Sequence, residues 1–310
     1  DLTAPSDIQT GVIDAGTTGA LTLTSGGSFL ATSTQSAPNL RGGAIAIDTG
    51  DTNSPTTTGL TIESHDTLTV TGNGLAIDGS SLSATASGTG TITLQAPLTG
   101  TNAATITLTS STGDVRVEQP ISTDTGAIEI TAAVDIDQAA TGLLSTDSAD
   151  ITLIATTGNI TMDVAASTMS TGGDVSYQAG DTITVGLINV GNANNVILSA
   201  GAAITDTSDS AADVVANLAT ITVAGSVTLD TEVTLIDITT SATGNVSIDE
   251  TDDLTITQII TSDGSIDVNS GSSIDVVLVR SDTTGHAVDL TATSDIQTGV
   301  IDAGTTGALT

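Results

Sequence analysis

Apolar and polar residues alternate along almost the whole chain, which is the period of a β-strand. The pattern is clear in ITLTS at 106–110, ITLIA at 151–155 and VSIDE at 246–250. Helical periodicity is scarce, and its best example, SAADVVANLA at 210–219, is short and flanked by strand patterns. We interpret that stretch as a loop or one short turn, so the pattern predicts an all-β chain.

A short repeat groups these strands into segments of 20 to 24 residues. Each segment has a strand with two inward apolar positions, then a corner rich in Gly, Ser, Asn or Asp, then a second strand. One segment cannot bury its own apolar face, whereas stacked segments can, because each strand pairs with its equivalent in the next coil. The pattern predicts a parallel β-helix with coils of about 20–24 residues. The segments are Gly244–Asp263, Gly264–Gly285, His286–Gly307 and Ala20–Gly43, with inward pairs Val246/Ile248, Ile266/Val268, Val288/Leu290 and Leu21/Leu23.

A much longer repeat is present as well. SDIQTGVIDAGTTGALT occupies both 6–22 and 294–310, and with its flanks the segment 289–310 repeats 1–22 except for Pro5 and Thr293. We interpret 1–288 as one period of a tandem array and 289–310 as the start of the next, so both ends are expected to be cuts in a longer chain. Roughly 14 coils then fit one period, which advances on the order of 65–70 Å. The two copies are expected to share one local conformation.

Three stretches depart from the coil pattern and are predicted to be loops that leave the stack: 48–60, 79–91 and 205–218. The prolines are expected at corners or loops, where a missing N–H does no damage. No linker divides the chain, so 1–310 is predicted to be one continuous solenoid. The prolines are Pro5, Pro38, Pro55, Pro97 and Pro120.

The amino-acid composition limits which folds and which binding partners suit this chain. Aromatic residues are 1% of the chain while hydrophobic residues are 38%, which suits a narrow interior filled by Val, Ile, Leu, Ala and Thr. The formal net charge is −33, with three Arg and no Lys, which argues against nucleic acid and anionic membrane surfaces as partners. No apolar run is long enough for a membrane-spanning helix. The absence of cysteine excludes disulfides and thiolate metal sites.

Candidate chemistry is sparse. The histidines, His65 and His286, are expected at exposed corners, and the three Arg form no cluster beside paired carboxylates, so we predict that the chain is not an enzyme. Calcium binding is the remaining possibility, because carboxylates and corner carbonyls are the oxygen ligands that Ca²⁺ uses. A solvated acidic face is the simpler interpretation. The candidate metal ligands are Asp135, Asp137, Asp206, Asp209, Asp252 and Asp253.

Three stretches resemble the filamentous-haemagglutinin type of adhesin and related giant repetitive bacterial surface proteins: GDVSYQAGDTITVG, ADITLIATTGNITMDV and GNVSIDETDDLTIT. The resemblance implies a single right-handed parallel β-helix, outside the cell, in a shaft or stalk used for attachment or cell–cell contact. The implied partners are adjacent copies of the repeat, neighbouring fibres and a cell-surface receptor. Two alternatives stay open. One is a binding module whose loops recognise carbohydrate or a receptor. The other is a stack of three Ig-like, calcium-dependent sandwiches, which requires antiparallel hairpins.

Overall fold

The structure, a computed structural model, describes residues 1–27, 29–31, 39–50, 59–207, 211–283, 285–304 and 307–309. Two compact units divide the chain, Asp1–Gly158 (unit 1) and Asn159–Thr310 (unit 2). Throughout the described ranges the regular structure is β-strand, without a helix, and parallel strands stack into a β-solenoid of about 13 turns. Within those ranges, accordingly, no helix is long and apolar enough to cross a membrane.

Unit 1 is built from short strands. They are β1 (Leu2–Ala4), β2 (Ile8–Thr10), β3 (Ile13–Asp14), β4 (Leu21–Ser25), β5 (Phe29–Ala31), β6 (Leu40–Gly42), β7 (Ile45–Thr49), β8 (Leu60–Ser64), β9 (Leu68–Gly72), β10 (Leu75–Asp78), β11 (Leu82–Ala86), β12 (Ile92–Leu94), β13 (Leu98–Thr101), β14 (Ile106–Ser110), β15 (Val115–Val117), β16 (Ile121–Thr123), β17 (Ile128–Ala132), β18 (Ile136–Gln138), β19 (Leu144–Thr146) and β20 (Ile151–Ala155).

Unit 2 mixes short strands with long ones that continue through corners. They are β21 (Ile160–Met162), β22 (Ser167–Ser170), β23 (Val175–Ala179), β24 (Ile183–Val185), β25 (Leu187–Ala200), β26 (Ile204–Asp206), β27 (Val214–Val223), β28 (Val227–Thr243), β29 (Val246–Glu250), β30 (Leu254–Asp263), β31 (Ile266–Ser270), β32 (Ile274–Ser281), β33 (Val288–Ala292) and β34 (Ile296–Asp302).

The strands of each unit form columns in which every strand pairs with its equivalent one coil away. In unit 1, β9, β12, β15 and β18 form part of one column, and β8, β11, β14, β17 and β20 form part of another. Within unit 1, equivalent residues in the column that begins with β1 and β4 are 21 to 24 positions apart, as in Val115↔Ile136 and Leu21↔Ile45. The spacing widens to 27 at Ile13↔Leu40 and narrows to 17 at Val214↔Thr231 in unit 2. The coil length therefore varies more than the predicted 20–24 residues.

Apolar and polar residues alternate along each strand, and this alternation determines which side chains form the core. In β14, Ile106 and Leu108 are buried while Thr107 and Thr109 between and after them face outward. Because neighbouring coils keep the same register, Ile106 stacks on Ile128. The outward positions of these strands hold Thr, Ser and acidic residues. Each fully buried Ile or Leu stabilises the folded state by about 1.5–3 kcal/mol relative to an exposed side chain.

The predicted inward positions are confirmed. Val246 pairs with Ile266, and Ile266 pairs with Val288, in successive coils of unit 2. All three side chains are at most 1% exposed. Gly264, at the corner before this column, packs so closely on the Gly244 carbonyl that an added Cβ would lie 1.9 Å from that oxygen. The corner therefore requires glycine in this coil, which accounts for the recurring Gly that marks the repeat.

Two of the predicted loops are wrong in part. Residues 82–86, within the predicted loop 79–91, form β11, which pairs with both β8 and β14. Residues 204–206 and 214–223 are strands, so half of the predicted loop 205–218, and more than half of the stretch 210–219 interpreted from the sequence as a loop or one short turn, belong to the stack. Residues 51–58 and 208–210 lie outside the described part of the chain.

The prolines that the structure describes avoid strand interiors, as predicted. Pro97 and Pro120 immediately precede β13 and β16, and their carbonyls accept hydrogen bonds from the N–H groups of Leu75 and Leu98. Pro5 follows β1 at a bend. Pro38 and Pro55 lie outside the described residues.

Parallel pairing of the strands excludes the alternative of stacked Ig-like sandwiches. The registers of the described strands are parallel, for example β14 with β17 and β31 with β33. Ig-like sandwiches require antiparallel hairpins. The prediction of three stacked sandwiches is therefore wrong.

Candidate functional site

Three carboxylates converge at one corner of unit 2. Asp206 ends β26, Asp213 immediately precedes β27, and Asp230 lies within β28. Their nearest carboxylate oxygens all lie within 4.8 Å of one another. Pairing of β28 with both β26 and β27 brings these positions together although they are distant in sequence. We call this group the acidic corner.

Backbone hydrogen bonds hold the acidic corner. The Asp213 N–H donates to the Asp230 carbonyl at 2.7 Å, and the Asp230 N–H donates to Asp213 Oδ2 at 2.9 Å. The Ile188 N–H donates to the Asp213 carbonyl at 2.7 Å. Asp213 is 2% exposed, so its carboxylate is a buried link between coils. The side chain therefore has a structural role with or without a bound ion.

The acidic corner could also supply ligands to a divalent cation. Calcium takes six to eight oxygens, so three carboxylates would provide only part of the shell and carbonyls or water the rest. Sequence reasoning placed Asp206 here but paired it with Asp209, which lies outside the described residues. It missed Asp213 and Asp230, because only the strand register shows that they face each other. Calcium binding stays a prediction, and thermal melting with and without the ion tests it.

The candidate pair Asp135 and Asp137 has a different environment. Asp137 faces outward from β18, and its Oδ2 lies 3.8 Å from Arg116 Nε. Partial burial raises the pKa of the Asp137 carboxyl; Arg116 opposes that shift, while Asp135 and Asp114 add to it. Arg116 also lies 3.7 Å from Asp114. Asp137 is thus paired with a protein cation, and the ion pairs of Arg116 are with Asp137 and Asp114.

The candidate pair Asp252 and Asp253 lies at an exposed corner before β30. The hydroxyl of Ser272, followed by the N–H and hydroxyl of Ser273, hydrogen-bonds to Asp253 and lowers the pKa of its carboxyl. The Ser273 N–H lies 3.0 Å from Asp253 Oδ1. These contacts bind the corner to the next coil and place Asp253 in a structural role.

Glu250 is a buried carboxyl that sequence reasoning missed. It ends β29 and is 4% exposed, at a position where strand alternation points it into the coil. Thr231 Oγ1 donates to Glu250 Oε2 at 2.8 Å, and the N–H groups of Val233 and Thr251 donate at 3.1 and 2.9 Å. Burial raises the pKa of Glu250 to about 7; the Thr231 hydroxyl and the N–H groups of Val233 and Asp252 oppose the shift, while the Asp252 side chain adds to it.

This shift predicts a stability that falls as the pH rises. Between the ordinary value of 4.5 and about 7, the folded chain keeps the Glu250 proton while the unfolded chain releases it, so deprotonation favours unfolding. We expect Glu250→Gln to gain about 2–3 kcal/mol of unfolding free energy relative to the original chain between pH 4 and pH 8. Urea denaturation at a series of pH values measures the difference.

Glu129→Gln is the matched control, because Glu129 faces outward from β17 and is exposed. Replacing this solvated side chain should change the unfolding free energy by about 0.5 kcal/mol or less. A pH-independent difference for Glu250→Gln would show that the buried carboxyl does not titrate in this window.

Both histidines lie at corners, as predicted. His286 Nε2 lies 2.8 Å from Asp263 Oδ1, and the Thr283 hydroxyl donates to the same oxygen at 2.8 Å. His65 is exposed, and its Nδ1 lies 3.1 Å from Ser87 Oγ. His286 takes the coil position that Gly264 has one coil earlier, and its ring contacts Asp263. These contacts join adjacent coils at the surface.

Comparison with known proteins adds no relative: no family model matches the chain, and no curated protein or solved structure matches it. The fold alone is consistent with repeat β-helix proteins.

Proposed function

We propose that this chain is a structural segment of a long, extracellular, repetitive fibre, in which it acts as the shaft or stalk of an adhesin. Its role is to span distance and bear load between a cell and its point of attachment or a neighbouring cell. Its partners are adjacent copies of the same repeat and a receptor at the cell surface.

The observation that carries this proposal is the backbone hydrogen bonding that joins successive coils. Within unit 1, Ile128 donates its N–H to the Asp150 carbonyl at 3.2 Å, and Ile106 donates to Ala127 at 3.0 Å, one coil apart. Apolar ladders run inside the same strands, and polar residues cover the outside. Stability of such an array grows with each added coil, because every coil adds an interface with its neighbour.

Charge and sequence support the extracellular fibre. A net charge of −33 repels neighbouring shafts and blunts sideways pairing of strands. Each Arg already lies beside acidic side chains, as Arg41 does 3.7 Å from Glu63 and Arg280 beside Asp282. The likeness to haemagglutinin-type repeats and the restart of the sequence at residue 289 favour a tandem array on a bacterial surface.

Single-molecule pulling on the full chain tests the load-bearing role. We expect extension from the two termini to release coils in a series of steps, since each coil is bonded only to its neighbours. A coil of about 22 residues should add roughly 70–80 Å of contour length. Ile130→Asp, which breaks a core ladder, should lower the force for steps within unit 1, and the outward Thr131→Asp should not.

One all-or-none release of the whole contour, at a force that both variants leave unchanged, would contradict the proposal. Such a result would describe an ordinary globular unit, whose stability does not depend on contacts between successive coils.

A further inference from the structure

Asn73 and Gly74 form the single Asn–Gly pair in the sequence. They lie at the corner between β9, which ends at Gly72, and β10, which begins at Leu75. Asn–Gly is the dipeptide most prone to spontaneous deamidation, because glycine has no Cβ to hinder the reaction and adopts many backbone angles freely. The side chain of Asn73 is exposed, so this corner brings a reactive pair to the surface of unit 1.

Packing between coils requires the glycine of this pair. Gly74 has a φ of +100°, and an added Cβ would lie 2.0 Å from the carbonyl oxygen of Pro97 in the next coil. The Leu75 N–H donates to the same carbonyl at 2.9 Å. A side chain at position 74 would therefore break the contact between these coils, and the fold keeps the reactive pair.

Asn73 is held by the preceding coil. Its backbone N–H donates to the Thr49 carbonyl at 2.8 Å, and its side-chain Nδ2 donates to the Gly50 carbonyl. The strand register confirms the neighbourhood, since Thr49 pairs with Gly72. The amide that deamidation would remove is therefore engaged in a hydrogen bond between coils.

The Thr49 hydroxyl holds the other reacting group. Its Oγ1 accepts a hydrogen bond from the Gly74 N–H at 2.9 Å and donates to the Gly74 carbonyl at 2.7 Å. Thr49 is 2% exposed at the end of β7, and Gly74 is buried as well. The backbone nitrogen that must attack Asn73 is thus hydrogen-bonded and shielded from water.

We propose that Asn73 is a modification site at which the chain deamidates spontaneously when this corner opens, and that the Thr49 hydroxyl suppresses the reaction in the folded coil. Water is the co-reactant. The inference goes beyond the proposed shaft, because it concerns the chemistry of one corner and not what the fibre attaches to.

The reaction begins when the backbone nitrogen of Gly74 attacks Cγ of Asn73. A bond forms between that nitrogen and Cγ, the bond from Cγ to Nδ2 breaks, and the proton of the Gly74 N–H leaves with the amide as ammonia. Water then opens the cyclic imide at either of its carbonyls. The products are aspartate and isoaspartate at position 73.

Isoaspartate would prevent the corner from closing again in register. Its backbone runs through the former side chain, which adds an atom between Cα of residue 73 and the nitrogen of Gly74. The corner then no longer places the Gly74 N–H on Thr49 and the Leu75 N–H on the Pro97 carbonyl together. Each lasting opening of this coil would therefore leave a permanent chemical change.

Mass spectrometry of the full chain tests the proposal. The chain is kept at mildly alkaline pH, folded in one sample and unfolded in urea in another, and then cleaved after arginine. Asn73 lies in the peptide 42–116, between Arg41 and Arg116. Deamidation at Asn73 should be roughly tenfold or more slower in the folded chain, since attack requires local opening.

Three variants separate the hydroxyl from general stability. Thr49→Val removes the hydroxyl and should speed deamidation of the folded chain roughly tenfold, the effect of one lost buried hydrogen bond on local opening. Thr49→Ser keeps the hydroxyl and should react like the original chain. Thr146→Val removes a buried hydroxyl at another corner of unit 1, where Thr146 Oγ1 lies 3.3 Å from the Asp124 carbonyl oxygen, and should also leave the rate unchanged.

Hydrogen exchange at the Gly74 N–H of the original chain needs no variant. In low concentrations of urea, exchange at Gly74 and deamidation at Asn73 should rise in the same proportion, because both require the same opening. Equal deamidation in the folded and unfolded chains would overturn the proposal. So would a Thr49→Val rate no faster than that of Thr146→Val, or deamidation that does not follow the exchange. None of these results bears on the stepwise unfolding expected of the shaft.

Discussion

Ile130→Asp is expected to destabilise unit 1 strongly. Ile130 is 0% exposed and stacks between Leu108 and Leu153 in the coils on either side. An aspartate there would be surrounded by aliphatic side chains, with no cation or hydrogen-bond donor from the ladder. We expect a loss of about 4–5 kcal/mol or more of unfolding free energy. Urea denaturation followed by circular dichroism measures the loss, and hydrogen exchange locates it.

Thr131→Asp is the matched control. Thr131 is the next residue of β17, and alternation places it on the outward side. The same carboxylate is solvated there, so the stability should change by about 0.5 kcal/mol or less. Similar losses for both substitutions would contradict the assignment of inward and outward positions.

Tyr177→Ala is expected to cost about 3–5 kcal/mol of unfolding free energy in unit 2. Tyr177 is 0% exposed and pairs in register with Leu198. Its hydroxyl lies 2.5 Å from the hydroxyl of Thr168, which is also buried. Burial raises the pKa of the Tyr177 hydroxyl far above its ordinary value, so the group stays protonated. Truncation would leave a cavity and remove this hydrogen bond together.

Two further variants separate the cavity from the hydrogen bond. Tyr177→Phe should cost only about 1–2 kcal/mol, because the ring remains and only the hydroxyl is lost. Gln178→Ala, at the exposed neighbouring position, should change little. Chemical denaturation of all three variants gives the comparison. A Phe variant as unstable as the Ala variant would show that the hydroxyl pair, and not the ring, supports the core.

Hydrophobic alternation and the segment spacing were enough to predict the architecture. Val246, Ile266 and Val288 could be placed inside successive coils because a parallel stack requires equivalent residues to recur in register. A scarcity of aromatic residues indicated a narrow interior, and Tyr177 still fits inside because the facing residue, Thr168, is small.

The prediction of a loop at 79–91 was wrong because small residues occupy core positions there, so the alternation of large apolar and polar residues is weak. β11 reads LSATA, and its Ala84 looks too small for a core position. Ala84 is nevertheless buried, because the ladder places it between Ile62 and Leu108, whose larger side chains fill the space. Core volume in a solenoid is shared between coils, so one coil's sequence does not show whether its strand is needed.

The chain's own residues therefore specified the strand period, the coil spacing, the parallel stack and the recurrence of residues 1–22 at 289–310, because these follow from local alternation and spacing. Only the folded chain showed the acidic corner and the buried Glu250 carboxyl. Those features depend on which residues meet one coil apart. Coils differ in length by several residues, from 17 at Val214↔Thr231 to 27 at Ile13↔Leu40, so spacing in the sequence does not predict which side chains meet.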